Sequence, residues 1–486
     1  MIVGTMSNVG KSLIAAGLCR VFAQDGYRVA PFKSQNMSNN SYVTADGLEM
    51  GRAQVVQAEC CGISPDVCMN PILLKPVSNS GSQVVVMGKA VGNMSASEYF
   101  KYKTGLIPVI NDAFDRLNSR YDIVVIEGAG SPAEINLKEN DIVNMGLAEM
   151  TDAQVLLVGD IDRGGVFAQL IGTLDLLEES ERKRIKGLII NKFRGDEKLL
   201  RPGIEMLEQR ANCPVLGTVP YADINIDEED SLTERFGVRK RMSVDIAVIR
   251  LPHISNYTDL AVFDQVRDIS VRFVSAPSDI GTPDLIVIPG TKNTVEDMRW
   301  LDDTRFSDRI KEEADLGTAI IGICGGYQML GRSISDPDNT ESGGSVQGLG
   351  LLPVETVLED TKTQSVYEGI VSDPTGILSG TKGCPVKGYE IHMGRTAACE
   401  ELSEFTSGSG YCRKNIYGTY VHGLFDNREM ACAVVGCICK ASGKNIDTSR
   451  IIDMDTYKQQ QYDRLADLIR DNIDMRRIYR ICHDGK

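Results

Sequence analysis

Short, β-branched apolar segments alternate with amphipathic helical segments along most of the chain. Strand, helix and strand in repetition is typical of a parallel sheet covered by helices on both faces. The pattern therefore predicts an α/β protein with two tandem, doubly wound domains. The predicted strands are residues 1–3, 28–32, 122–126, 154–158, 187–190 and 215–219 in the first half, and 244–251, 271–274, 284–288 and 319–323 in the second.

A charge-rich stretch marks the boundary between the two halves. It contains an acidic run, Asp-Glu-Glu-Asp, and then a basic run, Arg-Lys-Arg, which is typical of a linker. After about residue 446 the chain becomes polar and amphipathic, and we expect helices there that pack on the second domain. The predicted units are residues 1–225, a linker at 226–243, residues 244–445 and a helical extension at 446–486. Because only three residues precede the first loop, the sequence leaves open whether Met1 is the native start.

Composition excludes several classes of function. The chain carries 52 Lys+Arg against 67 Asp+Glu, a formal net charge of −15, so it lacks a general attraction for nucleic acid. No apolar run reaches the length of a membrane span, and Lys11 interrupts any N-terminal signal segment. The 13 cysteines lack metal-ligand spacing and are expected to be reduced thiols. We therefore expect a cytoplasmic protein without nucleic acid or membrane partners.

A glycine-rich loop at residues 4–12 lies between the first predicted strand and an amphipathic helix. Backbone N–H groups of such a loop wrap a phosphate, and Gly10 permits the turn. In this pattern Lys11 reaches the outer phosphates and the Ser12 hydroxyl ligates Mg²⁺. The first glycine comes one residue early for the standard spacing, so the sequence predicts a deviant P-loop that binds ATP.

A P-loop needs further polar partners at the carboxyl ends of neighbouring strands. Glu127 closes one predicted strand and, with Ser12 and Glu49, is a candidate Mg²⁺ ligand. Lys33 follows another strand and is a candidate cation for phosphate, and Asn191 is a candidate contact for adenine. Solvated loop residues are the alternative interpretation for each of these side chains.

One cysteine differs from the others. An apolar strand at 319–323 leads directly into Cys324 and two glycines, and a helix follows, which is the pattern of a nucleophile elbow. The N–H of Gly325 at the helix start can stabilise an oxyanion, and Gly290, at a second strand-to-turn step, is the candidate for the other donor. The pattern predicts Cys324 as a nucleophile.

A nucleophilic cysteine needs a base. The chain has four histidines, and His422, at the end of a β-rich segment, is the best candidate. His392 is the alternative and is expected to line the site. His253 is expected to make a loop contact, and His483 lies in the tail.

Cys324 in Gly-Ile-Cys-Gly-Gly-Tyr-Gln, followed by His422, resembles the class I triad-type glutamine amidotransferase family. That family has Glu two residues after the histidine, where this chain has Leu424, a departure shared with the cobyric-acid-type branch. The resemblance leaves open what orients His422, and Glu390 is our candidate. The first half resembles the dethiobiotin-synthetase-like ATPases through residues 4–12 and 127–130. The implied architecture is a P-loop ATPase followed by a flavodoxin-like glutaminase.

The order of the two halves, with the blocks at residues 30–37, 47–54, 160–167 and 388–394, resembles the adenosylcobyric acid synthase family from Gly4 to about Cys439. The resemblance implies a glutamine-dependent amidoligase of cobalamin biosynthesis. Its substrate would be adenosylcobyrinic acid a,c-diamide, amidated at the b, d, e and g carboxylates with L-glutamine as nitrogen donor. ATP and Mg²⁺ are the implied cofactors.

Three alternatives remain at this level. A cobyrinic acid a,c-diamide synthase has the same chemistry with another regiochemistry, and an amidotransferase of cell-wall lipid carboxylates is a second possibility. The third is a ParA-like ATP-dependent switch protein with a vestigial glutaminase, against which the intact Cys324 and His422 argue.

Overall fold

The structure is a computed structural model that describes residues 1–76, 81–226 and 240–483. Most of the predicted linker at 226–243 lies outside these residues. None of the helices described combines the length and the apolarity needed to cross a bilayer. The described residues form two α/β units, one in each half of the chain.

The N-terminal half contains the strands β1 (Ile2–Gly4), β2 (Val29–Phe32), β3 (Gln35–Met37), β4 (Ser41–Val43), β5 (Glu49–Gly51), β6 (Ile72–Pro76), β7 (Gly81–Val86), β8 (Lys89–Ser95), β9 (Ile123–Ile126), β10 (Val155–Asp160), β11 (Ile185–Phe193) and β12 (Val215–Pro220). Its α-helices are α1 (Lys11–Gln24), α2 (Arg52–Cys60), α3 (Ala96–Tyr102), α4 (Ile107–Asn118), α5 (Met145–Met150), α6 (Val166–Leu176), α7 (Glu179–Arg182) and α8 (Glu197–Ala211).

The core of this half is a parallel sheet in the order β2-β9-β1-β10-β11-β12. A parallel bridge between Ile2 and Glu127 joins its two parts. All six residues of β10 are buried, as expected for a strand that is covered on both faces. The predicted strands of this half are therefore all present, with ends shifted by at most three residues.

A second sheet in this half, here called the insert sheet, has the order β3-β6-β7-β8 and is mostly antiparallel. Across β6 and β7, Lys75 pairs with Gln83, and Pro76 pairs with Ser82. Because side chains alternate between the faces of a strand, these two pairs point to opposite sides of the sheet. The sequence analysis did not predict this sheet.

The C-terminal half contains the strands β13 (Val244–Ile249), β14 (Ile254–Ser255), β15 (Ile269–Val274), β16 (Leu285–Ile288), β17 (Gly290–Thr291), β18 (Ala319–Ile323), β19 (Ser333–Asp336), β20 (Gly344–Gln347), β21 (Val354–Ile370), β22 (Pro385–Ala398), β23 (Ser403–Glu404), β24 (Tyr411–Arg413), β25 (Ile416–Thr419) and β26 (Val421–His422). Its α-helices are α9 (Pro277–Ile280), α10 (Thr294–Asp303), α11 (Phe306–Asp315), α12 (Gly325–Leu330) and α13 (Arg428–Ser442), and α14 (Met454–Asn472) and α15 (Met475–His483) follow.

Five parallel strands form the centre of the second unit, in the order β15-β13-β16-β18-β25. Numbered along the chain these are 2-1-3-4-5, the order of flavodoxin-like folds. The sheet continues antiparallel into β24 and β23. A second sheet, β20-β19-β21-β22-β26, is dominated by the long hairpin of β21 and β22.

The hairpin of β21 and β22 reaches the N-terminal half. The Tyr389 hydroxyl donates a hydrogen bond to the carbonyl oxygen of Ser41 at 3.1 Å, and the rings of Tyr389 and Tyr42 meet edge to face. The N–H of Ser41 donates to Asn256 Oδ1, also at 3.1 Å. The two units are therefore packed against each other through directional contacts.

The C-terminal helices differ from the sequence prediction, because most of α14 packs on the N-terminal unit and only its first turn, at Met454 and Tyr457, packs on the second unit. Leu465 and Ile469 are buried in the same cluster as Ile14 of α1. Arg20 of α1 donates to Asp463 at 2.9 Å. A Cβ on Gly17 would lie only 2.5 Å from Ile469 Cγ1, so this glycine permits the close approach of the two helices. Amphipathicity indicates that a helix has a partner but not which surface the partner offers.

We expect Ile469→Ala to destabilise the N-terminal unit by about 2–5 kcal/mol, because it leaves a cavity beside α1. Hydrogen exchange followed by mass spectrometry should show faster exchange in α1, with little change in β13. Asp467→Ala, on the exposed face of the same helix, is the matched control. Faster exchange confined to the C-terminal unit would contradict the packing described here.

Candidate functional site

Cys324 lies at a sharp turn between β18 and α12. Its φ of 53° and ψ of −110° place a non-glycine residue in a strained region of the backbone map. A Cβ on Gly326 would lie 1.9 Å from the carbonyl oxygen of Ile288, and a Cβ on Gly322 would lie 2.6 Å from Gly326 O. Only glycine fits on either side of the turn, which is the local reason for a nucleophile elbow.

The two predicted oxyanion residues come from neighbouring segments, Gly325 from the start of α12 and Gly290 from β17. A Cβ on Gly325 would lie 3.2 Å from the backbone nitrogen of Thr291, and one on Gly290 would lie 3.0 Å from His422 Cε1. The structure therefore brings Gly325, Gly290 and His422 together around Cys324. Their roles as oxyanion donors stay predictions.

His422 is completely buried, and its Nδ1 is hydrogen-bonded to Asp259 Oδ2 at 2.7 Å. Burial lowers the pKa of His422, but Asp259 and Cys324 outweigh burial and raise it to about 10. Its other nitrogen, Nε2, is buried and makes no hydrogen bond with the described side chains. The ring is thus oriented through Nδ1 by one carboxylate, and a role of Nε2 in proton transfer stays a prediction.

Asp259 is the residue that sequence reasoning missed. It lies in the 3-10 helix Tyr257–Gln265, and its second oxygen accepts the N–H of Gly423 at 3.0 Å. Glu390, the candidate from the sequence, is not the partner of His422, because its carboxylate accepts from the Ser409 hydroxyl instead. The partner lies 163 residues from His422 along the chain, and no motif spacing signals such a contact.

The other histidines have separate contacts. His392 Nδ1 is 3.0 Å from the carbonyl oxygen of Gly394, and the ring stacks on Tyr420 at 3.7 Å between centroids. Burial lowers the pKa of His392 to about 4, so this ring is a neutral wall of the site. His253 lies in the loop between β13 and β14, and its Nδ1 is 2.7 Å from Asp297 Oδ1 of α10.

A cavity opens beside Cys324, here called the cysteine pocket. Both halves of the chain line it: Cys324, Gly325, Gln328, Lys292, Glu341, Lys362 and His392 come from the C-terminal half, and Lys75 and Gln83 come from the insert sheet. The N-terminal half therefore closes one side of the pocket that contains the candidate nucleophile.

The predicted metal ligand Glu49 lies at this junction and not at the P-loop. Its carboxylate accepts hydrogen bonds from Lys75 and Lys362, and from Gln364 Nε2 at 3.2 Å. Burial raises the pKa of Glu49, but the lysines outweigh burial and hold it well below its usual range. Glu49 lies away from the P-loop because its strand, β5, pairs with β4 and is not part of the parallel sheet. The P-loop lies at the carboxyl edge of that sheet.

The P-loop is closed by contacts with neighbouring strands. Lys11 Nζ donates to the carbonyl oxygens of Met6 and Gly130 at 3.0 Å each. Gly10 has a φ of +95°, and a Cβ there would lie 2.1 Å from Asn191 Nδ2. Asn191 Nδ2 donates to the carbonyl oxygen of Val9 at 2.8 Å, so this amide braces the loop, whereas the sequence predicted a contact with adenine.

Glu127 and Ser12 form the polar centre below the P-loop. The Ser12 hydroxyl and Lys33 Nζ donate to Glu127 Oε1 at 2.7 and 2.9 Å, and Gln57 Nε2 donates to the other oxygen. Burial raises the pKa of Glu127, but Lys33 and the hydrogen bonds outweigh it and lower the pKa overall. Glu127 thus stays charged at neutral pH.

The Ser12–Glu127 pair fits Mg²⁺ by its chemistry, because hydroxyl and carboxylate oxygens are hard ligands. Within the described parts of the chain, no group of three His, Cys, Asp or Glu side chains is placed to hold a metal ion. Mg²⁺ at a P-loop takes the rest of its ligands from phosphate oxygens and water. The structure thus brings two of the three predicted ligands together and leaves Glu49 elsewhere.

A cleft of about 680 Å³ lies beside the P-loop. Lys11, Lys33 and Gly130 line it, together with Leu74, Pro76 and Ser82 of the insert sheet. Lys75 and Gln83 alternate with these residues and line the cysteine pocket. The insert sheet therefore separates the two candidate sites, with one face turned to each.

Two family descriptions match the chain. Residues 1–232 match a "CobQ/CobB/MinD/ParA nucleotide binding domain", and residues 245–430 match a "CobB/CobQ-like glutamine amidotransferase domain". These matches confirm the predicted fold class of both halves.

Curated proteins named cobyric acid synthase are similar to the whole chain. The protein from Lachnoclostridium phytofermentans is 51% identical over 507 residues, which cover 100% of this chain and 99% of that protein. The protein from Ruminiclostridium cellulolyticum is 51% identical over 498 residues, which cover 100% of this chain and 97% of that protein. The protein from Thermoanaerobacter sp. is 51% identical over 502 residues, which cover 100% of this chain and 99% of that protein.

The pKa of His422 leads to a pH-dependent prediction for Asp259→Asn. A pKa raised from 6.5 to about 10 contributes stability that is fully present below pH 6.5 and is lost as the pH rises through about 10. The melting-temperature difference between wild type and variant should thus be largest below pH 6.5 and shrink towards pH 10. Glu390→Gln is the control and should show no such trend, and a pH-independent difference for Asp259→Asn would contradict the assignment.

Proposed function

The chain belongs to the cobyric acid synthase family, and from that premise we propose that it hydrolyses glutamine at Cys324 and uses the ammonia to amidate a corrinoid carboxylate activated at the P-loop. It is a glutamine-dependent amidoligase of cobalamin biosynthesis. The observation that carries the proposal is the strained Cys324 turn beside the His422–Asp259 pair, in a chain whose other half is a P-loop domain.

Glutamine hydrolysis starts from a Cys324 thiolate whose proton is held by His422 as an imidazolium. The raised pKa of His422 favours the imidazolium form, which Asp259 stabilises. The thiolate attacks the side-chain amide carbon of glutamine, and backbone N–H groups at Gly325 and at the Gly290–Thr291 turn stabilise the oxyanion. His422 then protonates the leaving ammonia, and water hydrolyses the thioester to release glutamate.

The P-loop half activates the second substrate. A carboxylate resists attack by ammonia because an oxide ion is a poor leaving group, so transfer of the γ-phosphoryl group of ATP converts the carboxylate into an acyl phosphate. Lys11 stabilises the phosphates, and Ser12 and Glu127 would hold Mg²⁺, which supplies charge neutralisation on the phosphoryl oxygens when bound. Lys33 keeps Glu127 ionised and in place. Ammonia then displaces phosphate to give the amide.

The proposed corrinoid is adenosylcobyrinic acid a,c-diamide, amidated at its b, d, e and g carboxylates in the cytoplasm. The names of the full-length relatives support this substrate over that of a cobyrinic acid a,c-diamide synthase. The Cys324–His422–Asp259 arrangement argues against a switch protein with a vestigial glutaminase.

Mass spectrometry of the corrinoid tests this function. Adenosylcobyrinic acid a,c-diamide is incubated with enzyme, glutamine, ATP and Mg²⁺. Each conversion of a carboxylic acid to an amide replaces an OH by an NH₂. We expect a ladder of products that ends at four conversions. Cobyrinic acid is incubated in parallel, and two conversions of that substrate with none of the diamide would favour the a,c-diamide synthase. No conversion of the diamide despite active hydrolysis of glutamine and ATP would reject this substrate.

Asp259→Asn should lower kcat for glutamate release by about 100- to 10,000-fold, because the amide favours the wrong tautomer of His422 and does not stabilise the imidazolium. Amidation with added ammonium chloride should stay at the wild-type rate, since it bypasses the cysteine pocket. Glu390→Gln should retain glutamine hydrolysis. Equal loss of the glutamine-dependent and ammonia-dependent reactions would indicate misfolding and count against the assigned role.

Lys11→Ala should reduce ATP-dependent amidation by at least about 100-fold, because the outer phosphates lose their cation in the transition state. The reaction is measured with ammonium chloride as nitrogen donor, so that glutamine hydrolysis does not limit it. Lys198→Ala, at an exposed position of the same half, is the control. Amidation at the wild-type rate in Lys11→Ala would contradict the assignment of the phosphate site to this loop.

A further inference from the structure

Two charged side chains of the cysteine pocket have no role in the reaction derived above. Lys292 follows the Gly290–Thr291 turn directly, and Glu341 lies in the loop between β19 and β20. Both line the cavity that contains Cys324. The inference drawn from them rests on the proposed hydrolysis of glutamine and adds the recognition of that substrate.

Lys292 is a cation without a direct counter-ion in the described part of the protein. Its Nζ donates to Gln83 Oε1 at 3.2 Å, and no carboxylate oxygen of a described residue lies within 4.0 Å of it. The nearby Lys75 and Lys362 share one carboxylate, that of Glu49. Burial, Lys75 and Lys362 together hold the pKa of Lys292 well below its usual range. Three lysines at this end of the pocket thus face the single carboxylate of Glu49, and a bound carboxylate beside Lys292 would favour its charged form.

Glu341 provides the opposite charge in the same cavity. Its Oε2 accepts the N–H of Thr294 at 2.5 Å, at the start of α10, and its Oε1 accepts from the Thr294 hydroxyl at 3.3 Å. These contacts fix the direction of the carboxylate. Lys292 and Glu341 influence each other electrostatically, but they form no ion pair within 4.0 Å. Burial raises the pKa of Glu341 to about 7, so its carboxylate is mostly ionised at pH 8, where the pocket holds a separated cation and anion.

A separated cation and anion beside a nucleophile match an amino acid whose side chain reacts. Glutamine carries an α-carboxylate and an α-ammonium at one end and the reactive amide at the other. With the amide carbon at Cys324, the α-carbon end must be bound elsewhere in the same cavity. We propose that Lys292 binds the α-carboxylate of glutamine and that Glu341 binds its α-ammonium.

The N-terminal half takes part in this recognition through Gln83. The Gln83 side chain accepts hydrogen bonds from Lys292 and, at 3.5 Å, from Lys362 Nζ, and it lies on the insert sheet. Gln83 thus positions Lys292 from the opposite side of the junction. The glutamine site is therefore completed across the two halves, and it depends on their packing.

The test uses three substrates that differ at the α-carbon. L-glutamine has both charges, 4-aminobutanamide lacks the carboxylate, and glutaramate lacks the ammonium. Release of ammonia from each is measured at pH 8 with wild type, Lys292→Met and Glu341→Gln, in the presence of ATP, Mg²⁺ and corrinoid. The glutamine side chain at 341 keeps an acceptor for the N–H of Thr294.

Lys292→Met should lower kcat/KM by about 10- to 100-fold for glutamine and glutaramate and leave it unchanged for 4-aminobutanamide, because a charge-assisted hydrogen bond is lost only with the first two. Glu341→Gln should lower kcat/KM by a similar factor for glutamine and 4-aminobutanamide and leave it unchanged for glutaramate. Gln83→Leu should raise KM for glutamine several-fold with little change in kcat. Lys89→Met, exposed on β8 of the same sheet, is the control and should match wild type.

A uniform loss with all three substrates in Lys292→Met would assign the lysine a purely structural role and overturn the inference, as would wild-type kinetics in that variant. A wild-type enzyme that releases no ammonia from glutamine would instead reject the proposed function itself. Circular dichroism melting of each variant separates these outcomes from failure to fold.

Discussion

The carboxylate of Glu49 is the interaction on which the arrangement of the two halves depends. It is fully buried and accepts from Lys75 of its own half and from Lys362 of the other. A buried charge is tolerated only when it is paired, and removing one partner of such a pair typically costs about 3–5 kcal/mol. The β21–β22 hairpin is therefore held in one position against the insert sheet. The cysteine pocket exists because this position brings Lys75 and Gln83 opposite Cys324.

The insert sheet gives the two sites a shared wall. Along β6 and β7, successive residues face opposite sides, so Pro76 and Ser82 line the P-loop cleft whereas Lys75 and Gln83 line the cysteine pocket. A one-residue change of register would exchange the two sets of side chains. In the proposed reaction, ammonia formed at Cys324 has this sheet between it and the activated carboxylate. The same few strands thus influence both half-reactions.

Local features of the sequence predicted a large part of the two sites. Steric contacts at the turns around Cys324 and Gly10 require glycine there. These patterns can therefore be recognised in the sequence before the fold is known. Asp259 and Glu49 could not be assigned in this way. Asp259 reaches His422 across 163 residues, and Glu49 follows a polar stretch that resembles any strand-end loop. The partners of Asp259 and Glu49 are determined by tertiary packing, and no spacing in the sequence indicates them.

The sequence by itself determined the fold class, because the alternation of buried strands and amphipathic helices is a property of local periodicity. It also predicted the candidate nucleophile and the candidate phosphate-binding lysine, Cys324 and Lys11, since each lies at a backbone turn that its own neighbours specify. The tertiary structure decided which carboxylate orients His422, where Glu49 lies and which unit α14 covers. Those outcomes depend on contacts between distant segments, and their free energy comes from burial and charge pairing that exist only after the chain has folded.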